Sequence, residues 1–125
     1  MRLEHKLMSA LCENALTSKS GDILFGDLEL HWDSVIIKDN KSNSVTLTDV
    51  RFKMQLSTDL GMRSGTIYSR LNIEVITSNG VLMRSHLREE KDRVEFFRIC
   101  EQCVEAFEEA NKSVNQKVWD ILDNR

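Results

Sequence analysis

The sequence has no proline, only five glycines and no long apolar run in its 125 residues. Without proline there is no stiff proline-rich linker to divide the chain, and the length suits one domain. No stretch approaches the roughly 20 apolar residues that span a bilayer, and residues 1–16 lack the apolar core of a signal peptide. We therefore expect a single domain over residues 1–125, located in the cytoplasm and not bound to a membrane.

Cysteine and positive charge are also scarce. Three cysteines, an odd number, suit a reducing compartment better than a disulfide scaffold. A net charge of −3 argues against general nucleic-acid binding. Cys100 and Cys103 have the spacing of a redox or zinc motif, but they lie deep in a predicted helix, away from the N-terminus that would stabilise a thiolate. Core packing is the favoured interpretation, with zinc and redox roles as alternatives, and we expect no metal and no cofactor.

The longest pattern is a predicted helix from Arg88 to Asn124. Apolar residues recur there in steps of three and four, which places them on one helix face. This repeat consists of Phe97, Cys100, Val104, Phe107, Asn111, Val114, Val118 and Ile121. A helix of this length spans about 55 Å, whereas a domain of this size has a radius of gyration near 14 Å. One end is therefore expected to project, to bend back or to pack on a second chain.

The two halves of this helix have different patterns. The apolar face is broad from Val94 to Phe107, as suits packing on a sheet, and narrow beyond Glu108, as suits packing on another helix. Asn111 occupies a position where the repeat favours an apolar residue, and a buried Asn there would fix register and strand number. Alternatively, Asn111 is exposed or ends a shorter helix before a bend. We predict a coiled-coil homo-oligomer, most simply a two-fold dimer of undetermined helix direction. Its interface residues are Phe107, Asn111, Val114, Val118, Trp119, Ile121 and Leu122.

The rest of the chain predicts a short helix and then strands. Apolar residues at helical spacing indicate a helix from Arg2 to Leu16, followed by a turn at Thr17–Gly21. Alternating residues then predict strands, with a short turn or bulge near Thr48–Asp49, a loop over Ser57–Gly65 and a hairpin at Asn79-Gly80. Val35–Ile37 is predicted to be covered on both faces or to lie at the centre of the sheet. The fold class is α+β, with an N-terminal helix, an antiparallel meander of about five or six strands and a long C-terminal helix packed on the sheet.

Basic residues gather on one face of the predicted sheet. If the apolar residues face the core, strand alternation places a set of cations and one tyrosine on the other side. This candidate ligand-binding set is Arg51, Lys53, Tyr68, Arg70, Arg84 and His86. Arg70 and Arg84 lie on the two arms of one hairpin and are expected to approach each other. Guanidinium groups suit a phosphate or carboxylate, and Tyr68 could stack on a base. The commoner interpretation is a solvated face whose arginines pair with acidic neighbours.

No residue pattern indicates catalysis. The segment Gly61–Gly65 lacks the Lys-Ser/Thr of a phosphate-binding loop, and the three histidines lie in different elements. We therefore assign no catalytic residues and expect a protein that is not an enzyme. The favoured function is a non-catalytic binding or adaptor protein that self-associates and has a protein partner, with inhibition of a cellular pathway as one form of that role. The alternative is a protein that sequesters a small anionic ligand, such as a nucleotide signal, through the arginines of the sheet.

Overall fold

The computed structural model describes residues 1–60, 65 and 67–125, without the side chains of residues 59, 60, 67 and 68. The two helices are α1 (Leu3–Cys12) and α2 (Glu90–Asp123). The strands are β1 (Ser18–Asp22), β2 (Asp27–Lys38), β3 (Ser44–Leu60), β4 (Ile67–Thr77) and β5 (Gly80–Leu87), with a 3-10 turn at Ile23–Phe25. The strands form one antiparallel sheet in sequence order. The predicted α+β fold is confirmed.

Side chains alternate between two faces of the sheet, and the inner face forms the core. Its buried residues are Leu28, Leu30, Trp32, Val35, Val50, Phe52, Met54, Leu71, Ile73, Val75 and Leu87. Helix α1 and the first half of α2 supply the other side of the core, chiefly through Met8, Leu11 and Phe96. The sheet therefore has one apolar face that is buried in the core and one polar face that is exposed, as antiparallel sheets commonly do.

An aromatic contact lies at the centre of this core. The ring of Phe96 stacks on Phe52, with centroids 5.9 Å apart and planes at 29°. The rings of Phe96 and His5 also make a T-shaped contact, with centroids 5.6 Å apart and planes at 89°. This single residue of α2 thus contacts both the sheet and α1, so that the three layers depend on one another.

Polar contacts hold α1 against the start of α2. The buried His5 hydrogen-bonds through Nε2 to the carbonyl oxygen of Asp92, 2.9 Å away. Arg2 pairs with Glu4 at 3.2 Å and with Asp92 at 3.4 Å, and Ser85 of β5 donates a hydrogen bond to Glu4. The hydrogen bond from Arg2 is the largest cause that lowers the pKa of Glu4 from 4.5 to about 2. An ordinarily marginal ten-residue helix is thereby fixed at its first turn.

The segment after α1 differs from the prediction. The helix ends at Cys12 rather than Leu16. Asn14 bonds through its side-chain oxygen to the Ile36 N–H at 2.9 Å, and Thr17 accepts from the Asp33 N–H at 3.0 Å. These bonds satisfy backbone groups on the edge of β2. The predicted turn at Thr17–Gly21 is also wrong, because residues 18–22 form β1 along the same edge.

Near Thr48–Asp49, where a short turn or bulge is predicted, the alternation of side chains changes in β3 and in β2 at the same level. Residues on either side of Asp49 keep one register with β2, and Asp49 itself has a positive φ of 50°. Trp32 and Val35 are both buried although they lie three residues apart, so β2 changes phase opposite β3. The feature is a shared kink rather than a turn or a bulge. Beyond it Ile36 is exposed, which makes the prediction for Val35–Ile37 wrong.

The hairpins on the β4 side follow the prediction more closely. A tight hairpin joins β4 to β5 as predicted, but Thr77 pairs with Gly80 across the turn, so the loop residues are Ser78 and Asn79 rather than the predicted Asn79 and Gly80. Gly80 has a φ of 112°, which an L-residue rarely adopts. The predicted loop over Ser57–Gly65 is wrong at its start, because β3 continues to Leu60. Residues 61–64 of that prediction lie outside the described residues.

The central position of Phe96 gives a stability prediction. We expect Phe96→Ala to lower the free energy of unfolding by about 3–5 kcal/mol, because it removes contacts with Phe52 and His5 and leaves a cavity. Urea denaturation followed by circular dichroism measures the change. Val94→Ala, on the half-exposed side of the same helix turn, is the control and should cost less than about 1 kcal/mol. Equal losses for both variants would show that Phe96 is not central.

The pKa of Glu4 gives a prediction for acid. Since folding lowers this pKa, the charged contacts of Glu4 stabilise the fold above pH 4.5, and that stabilisation is lost as the pH falls to about 2. We expect Glu4→Gln to be less stable than the wild type near neutral pH and the difference to shrink in acid. Unfolding free energies from urea at about pH 6 and about pH 2.5 test this. A difference that does not change with pH would contradict the assignment.

Candidate functional site

The second half of α2 extends beyond the sheet. Cys103 and Val104 are buried and Phe107 is half-buried, but every residue from Glu108 to Arg125 is exposed. The helix is unbroken from Glu90 to Asp123, so it does not bend back. The uncovered part is about 24 Å long at 1.5 Å per residue. We call this part, Glu108–Asp123, the projecting helix.

The apolar residues of the projecting helix are in line with those buried in the first half. At about 100° per residue, Val114 and Val118 fall on the same helix face as the buried Cys100. Ile121 and Leu122 extend the line to the end of the helix, where Ile121 is 63% exposed. The apolar face of α2 that is buried against the sheet therefore continues past the edge of the sheet, where it is exposed. We call Phe107, Asn111, Val114, Val118, Ile121 and Leu122 the helix seam.

Asn111 and Trp119 are the two unusual residues here. Asn111 lies in the helix seam between Phe107 and Val114 and is exposed in the single chain. The alternative that Asn111 ends a shorter helix is wrong, because α2 continues for twelve residues to Asp123. Trp119 is 62% exposed and lies beside the seam rather than in it. All seven predicted interface residues thus lie on one helix, with Trp119 at the margin.

A second exposed apolar feature lies at the base of the projecting helix. Lys19 of β1 forms an ion pair with Glu108 at 2.8 Å, which holds the sheet edge to the first residue of the projecting helix. The 3-10 turn that follows β1 also contacts α2. Leu24 and Phe25 of this turn are 82% and 76% exposed. The sequence analysis did not identify these residues.

The conformation of this turn is fixed by its flanking residues. The side chain of Asp22 accepts a hydrogen bond from the Leu24 N–H at 2.9 Å. Gly26 has a φ of 68°, and a Cβ atom built there would lie 2.5 Å from the Cβ of Leu56. A side chain at Gly26 would therefore force β3 to move. An Asp and a Gly around three apolar residues were the signal in the sequence that could have identified this turn.

The predicted basic residues do share the outer face of the sheet, but with acidic partners. Register places Glu29, Lys53, Glu74 and Arg84 in one row across β2 to β5. The Arg84 Nε atom lies 2.6 Å from Oε2 of Glu74. This agrees with the interpretation of a solvated face whose arginines pair with acidic neighbours. Cross-strand pairs of opposite charge stabilise a sheet, so this row has a structural role of its own.

Asp49 forms a similar pair at the kink of β3. Its carboxylate lies 2.8 Å from His31 and 3.4 Å from Arg51. The hydrogen bond from His31 is the largest cause that lowers the pKa of Asp49, followed among the favourable interactions by the charge of Arg51. One of the predicted ligand-binding arginines therefore already faces a carboxylate.

Arg70 and Arg84 are not neighbours. Arg84 is opposite Glu74, four residues along β4 from Arg70, which corresponds to about 13 Å. Arg70 instead donates a hydrogen bond to the Ser57 hydroxyl at 3.3 Å. The expectation that the two arginines approach each other is wrong. The side chain of Tyr68 lies outside the described residues.

Two shallow pockets lie on this outer face. One, of about 280 Å³, is lined by Ser18, Ser20, His31, Arg51 and Lys53, together with Glu29. The other, of about 290 Å³, is lined by Lys53, Arg84 and His86, and by Glu74 and Asn72. Four of the predicted ligand-binding residues line these pockets, Arg51 the first, Arg84 and His86 the second and Lys53 both, and a carboxylate lines each pocket. Anion binding at this face stays a prediction.

The three cysteines come together in the core. Cys100 and Cys103 are buried on α2, and Cys12, at the end of α1, is half-buried with its Sγ atom 3.9 Å from the Ile99 carbonyl oxygen of α2. Burial is the main cause that raises the pKa of Cys100. In the described part of the chain, no group of three or more His, Cys, Asp or Glu side chains is placed so that it could hold a metal ion.

Comparisons with protein-family models, curated proteins and solved structures find no match to this chain. A search of the helices within the described residues finds none that is long and apolar enough to cross a membrane.

The first pocket gives a test of anion binding. We expect Arg51→Ala combined with Lys53→Ala to weaken the binding of a nucleotide at least roughly tenfold, since each cation contributes a charge-assisted hydrogen bond. Isothermal titration with a panel of mono- and dinucleotides measures this. Lys6→Ala combined with Lys41→Ala removes the same charge from exposed positions elsewhere and should change nothing. If the wild type binds no nucleotide in the panel, the prediction of a nucleotide ligand is wrong.

Proposed function

We propose that this chain is a non-catalytic binding protein that pairs with a second copy of itself through the helix seam. The observation that carries the proposal is the continuity of one apolar helix face, which is buried over the sheet and uncovered beyond Phe107. If α2 ended at the edge of the sheet, it would expose no apolar face. The residues beyond Phe107 instead continue the apolar face of the first half.

The size and composition of the uncovered face support a partner. Val114, Val118, Trp119, Ile121 and Leu122 are each between 47% and 63% exposed. Burying half of a side chain of this kind contributes roughly 1 kcal/mol. A run of apolar side chains along one stripe, rimmed by charged residues, is typical of an interaction site.

The spacing within the stripe supports a helix as that partner, and a second copy as its source. Val104, Asn111 and Val118 recur every seven residues, and Phe107, Val114 and Ile121 form the companion set. This is the pattern in which two helices pack knobs into holes. Asn111 falls in the first set, where two copies of the same Asn can hydrogen-bond to each other across a dimer.

Charge does not oppose self-association. The projecting helix and the last two residues carry the acidic residues Glu108, Glu109, Asp120 and Asp123 and the basic residues Lys112, Lys117 and Arg125. The two signs nearly balance, so two copies would meet without strong repulsion. Leu24 and Phe25, on the turn after β1 that contacts α2, add further exposed apolar surface.

In this proposal the dimer is an adaptor, which presents two copies of the sheet's polar face to a protein partner. Inhibition of a cellular pathway by occupying such a partner is one form of this role. We also propose a cytoplasmic location, which is supported by three cysteines that remain free thiols.

A charge introduced into the seam tests the proposal. We expect Val118→Asp to weaken dimer formation by roughly 100-fold or more, because a dimer would bury the new carboxylate without a partner. Sedimentation velocity over a range of concentrations measures the dissociation constant, and circular dichroism checks that the fold is intact.

The matched control is Ser113→Asp, which adds the same charge on another side of the same helix. This variant should dimerise within a few-fold of the wild type. If Val118→Asp and the wild type sediment with the same mass at all concentrations, the helix seam is not an interface between copies.

A further inference from the structure

The helix seam and the buried part of α2 are one and the same helix face. Five full turns of an α-helix take about 18 residues, so Val114 lies directly in line with Phe96, and Val118 with Cys100. Phe96 and Cys100 are fully buried, and the ring of Phe96 stacks on Phe52 of β3. The sheet therefore lies on the side of α2 to which the seam points.

This position of the sheet limits how a second helix can approach the seam. In a coiled coil the two axes lie about 8–10 Å apart and cross at about 20°. A parallel partner would carry its own first half along residues 96–104 of the first copy, where the Phe52 ring is already 5.9 Å from Phe96. Because α2 is unbroken from Glu90 to Asp123, no bend lets the two chains diverge. A parallel pair would therefore overlap with the folded sheets.

An antiparallel partner does not meet this obstacle. It approaches the projecting helix from its C-terminal end, so that the first half and the sheet of the second copy lie beyond Asp123. The two projecting helices, each about 24 Å long, then overlap along their whole length. Each one ends near the Lys19–Glu108 ion pair at the sheet edge of the other copy. This overlap brings Val114 of one copy opposite Val118 of the other.

Asn111 is the one residue of the seam that favours the opposite direction. A parallel pair would bring two Asn111 side chains together, and a hydrogen bond between them contributes about 1 kcal/mol. In the antiparallel pair Asn111 lies opposite Ile121 of the second copy, in the outermost layer of the contact, where its amide stays close to water. One hydrogen bond is small beside the cost of forcing two folded sheets into the same space, so the position of the sheets decides the direction.

We propose that the dimer, whose existence rests on the function proposed above, is antiparallel, with the C-terminal end of each α2 at the sheet edge of the other copy. Two 34-residue helices that overlap in this way form a rod about 80 Å long, with the two sheets roughly 50 Å apart.

This arrangement determines how the adaptor meets its protein partner. The two-fold axis of the antiparallel pair is perpendicular to the plane that contains both helices, so the polar faces of the two sheets point in opposite directions. The dimer therefore cannot place both faces on one flat surface. It bridges two molecules of the partner instead.

Disulfide trapping between two single variants tests the helix direction. Asn111→Cys and Ile121→Cys both change exposed residues outside the core, so the fold is retained. The variants are oxidised alone and as an equal mixture, with the wild type as the control for the native cysteines. We expect the mixture to yield a dimer with one chain of each variant, joined between positions 111 and 121, as mass spectrometry and peptide mapping show.

Either variant alone should give little cross-linked dimer. In the antiparallel pair its two new thiols are about 15 Å apart along the helices, whereas the Cβ atoms of a disulfide lie about 3.5–4.5 Å apart. Small-angle scattering of the unmodified dimer is a second measurement, and we expect a maximum dimension of about 80 Å or more. A maximum dimension near the length of a single α2, about 50 Å, would contradict the antiparallel rod.

The remaining outcomes separate this inference from the proposed function. A cross-linked dimer of Ile121→Cys alone, with no mixed product, would show a parallel dimer, which overturns the helix direction and leaves self-association intact. A wild-type dimer whose variants form no cross-link in any sample would also overturn the direction. A wild type that sediments as a monomer at every concentration would overturn both the direction and the proposed function.

Discussion

The contact between the first half of α2 and the inner face of the sheet is the interaction on which the rest of the structure depends. Phe96 stacks on Phe52 and also contacts His5, so one side chain joins both helices to the sheet. The sheet cannot bury its apolar face without α2, and α1 is too short to be stable without both. The polar contacts of Glu4 and His5 orient this packing but add little apolar burial. The orientation of α2 follows, and with it the direction in which its second half leaves the sheet.

A helix longer than the surface below it creates the candidate site. The sheet ends at β1, a five-residue edge strand, and Lys19 of that strand pairs with Glu108, the first residue of the projecting helix. Beyond this pair the apolar stripe continues without a surface to cover it. The outer sheet face is the opposite case, because Arg84 and Arg51 lie beside the carboxylates of Glu74 and Asp49. The exposed surface that lacks a partner on the projecting helix is thus apolar. This favours the proposal of a bound helix over that of a bound anion.

Strong periodic patterns made much of this fold predictable. The repeat in α2 and the alternation in the strands are local signals, and the structure has the helix and the strands that they predict. The hairpin predicted at Asn79-Gly80 also forms, but its turn lies one residue earlier, at Ser78-Asn79. What could not be predicted depends on tertiary contacts. Strand β1 contains no large apolar residue and forms because β2 has an edge to satisfy, and Asn14 ends α1 by bonding to that same edge. The contact of Cys12 with the Ile99 carbonyl of α2 and the row of paired charges depend on docking and register, which a single sequence does not determine.

The central claim is that the helix seam is covered by a second copy of the chain. Hydrogen exchange of the wild-type protein at several concentrations, followed by mass spectrometry of peptides, tests it most directly. We expect peptides from residues 108–123 to exchange fast in dilute protein and to become protected as the concentration rises, while peptides from residues 96–104 stay protected throughout. Fast exchange over residues 108–123 at every concentration would contradict the account.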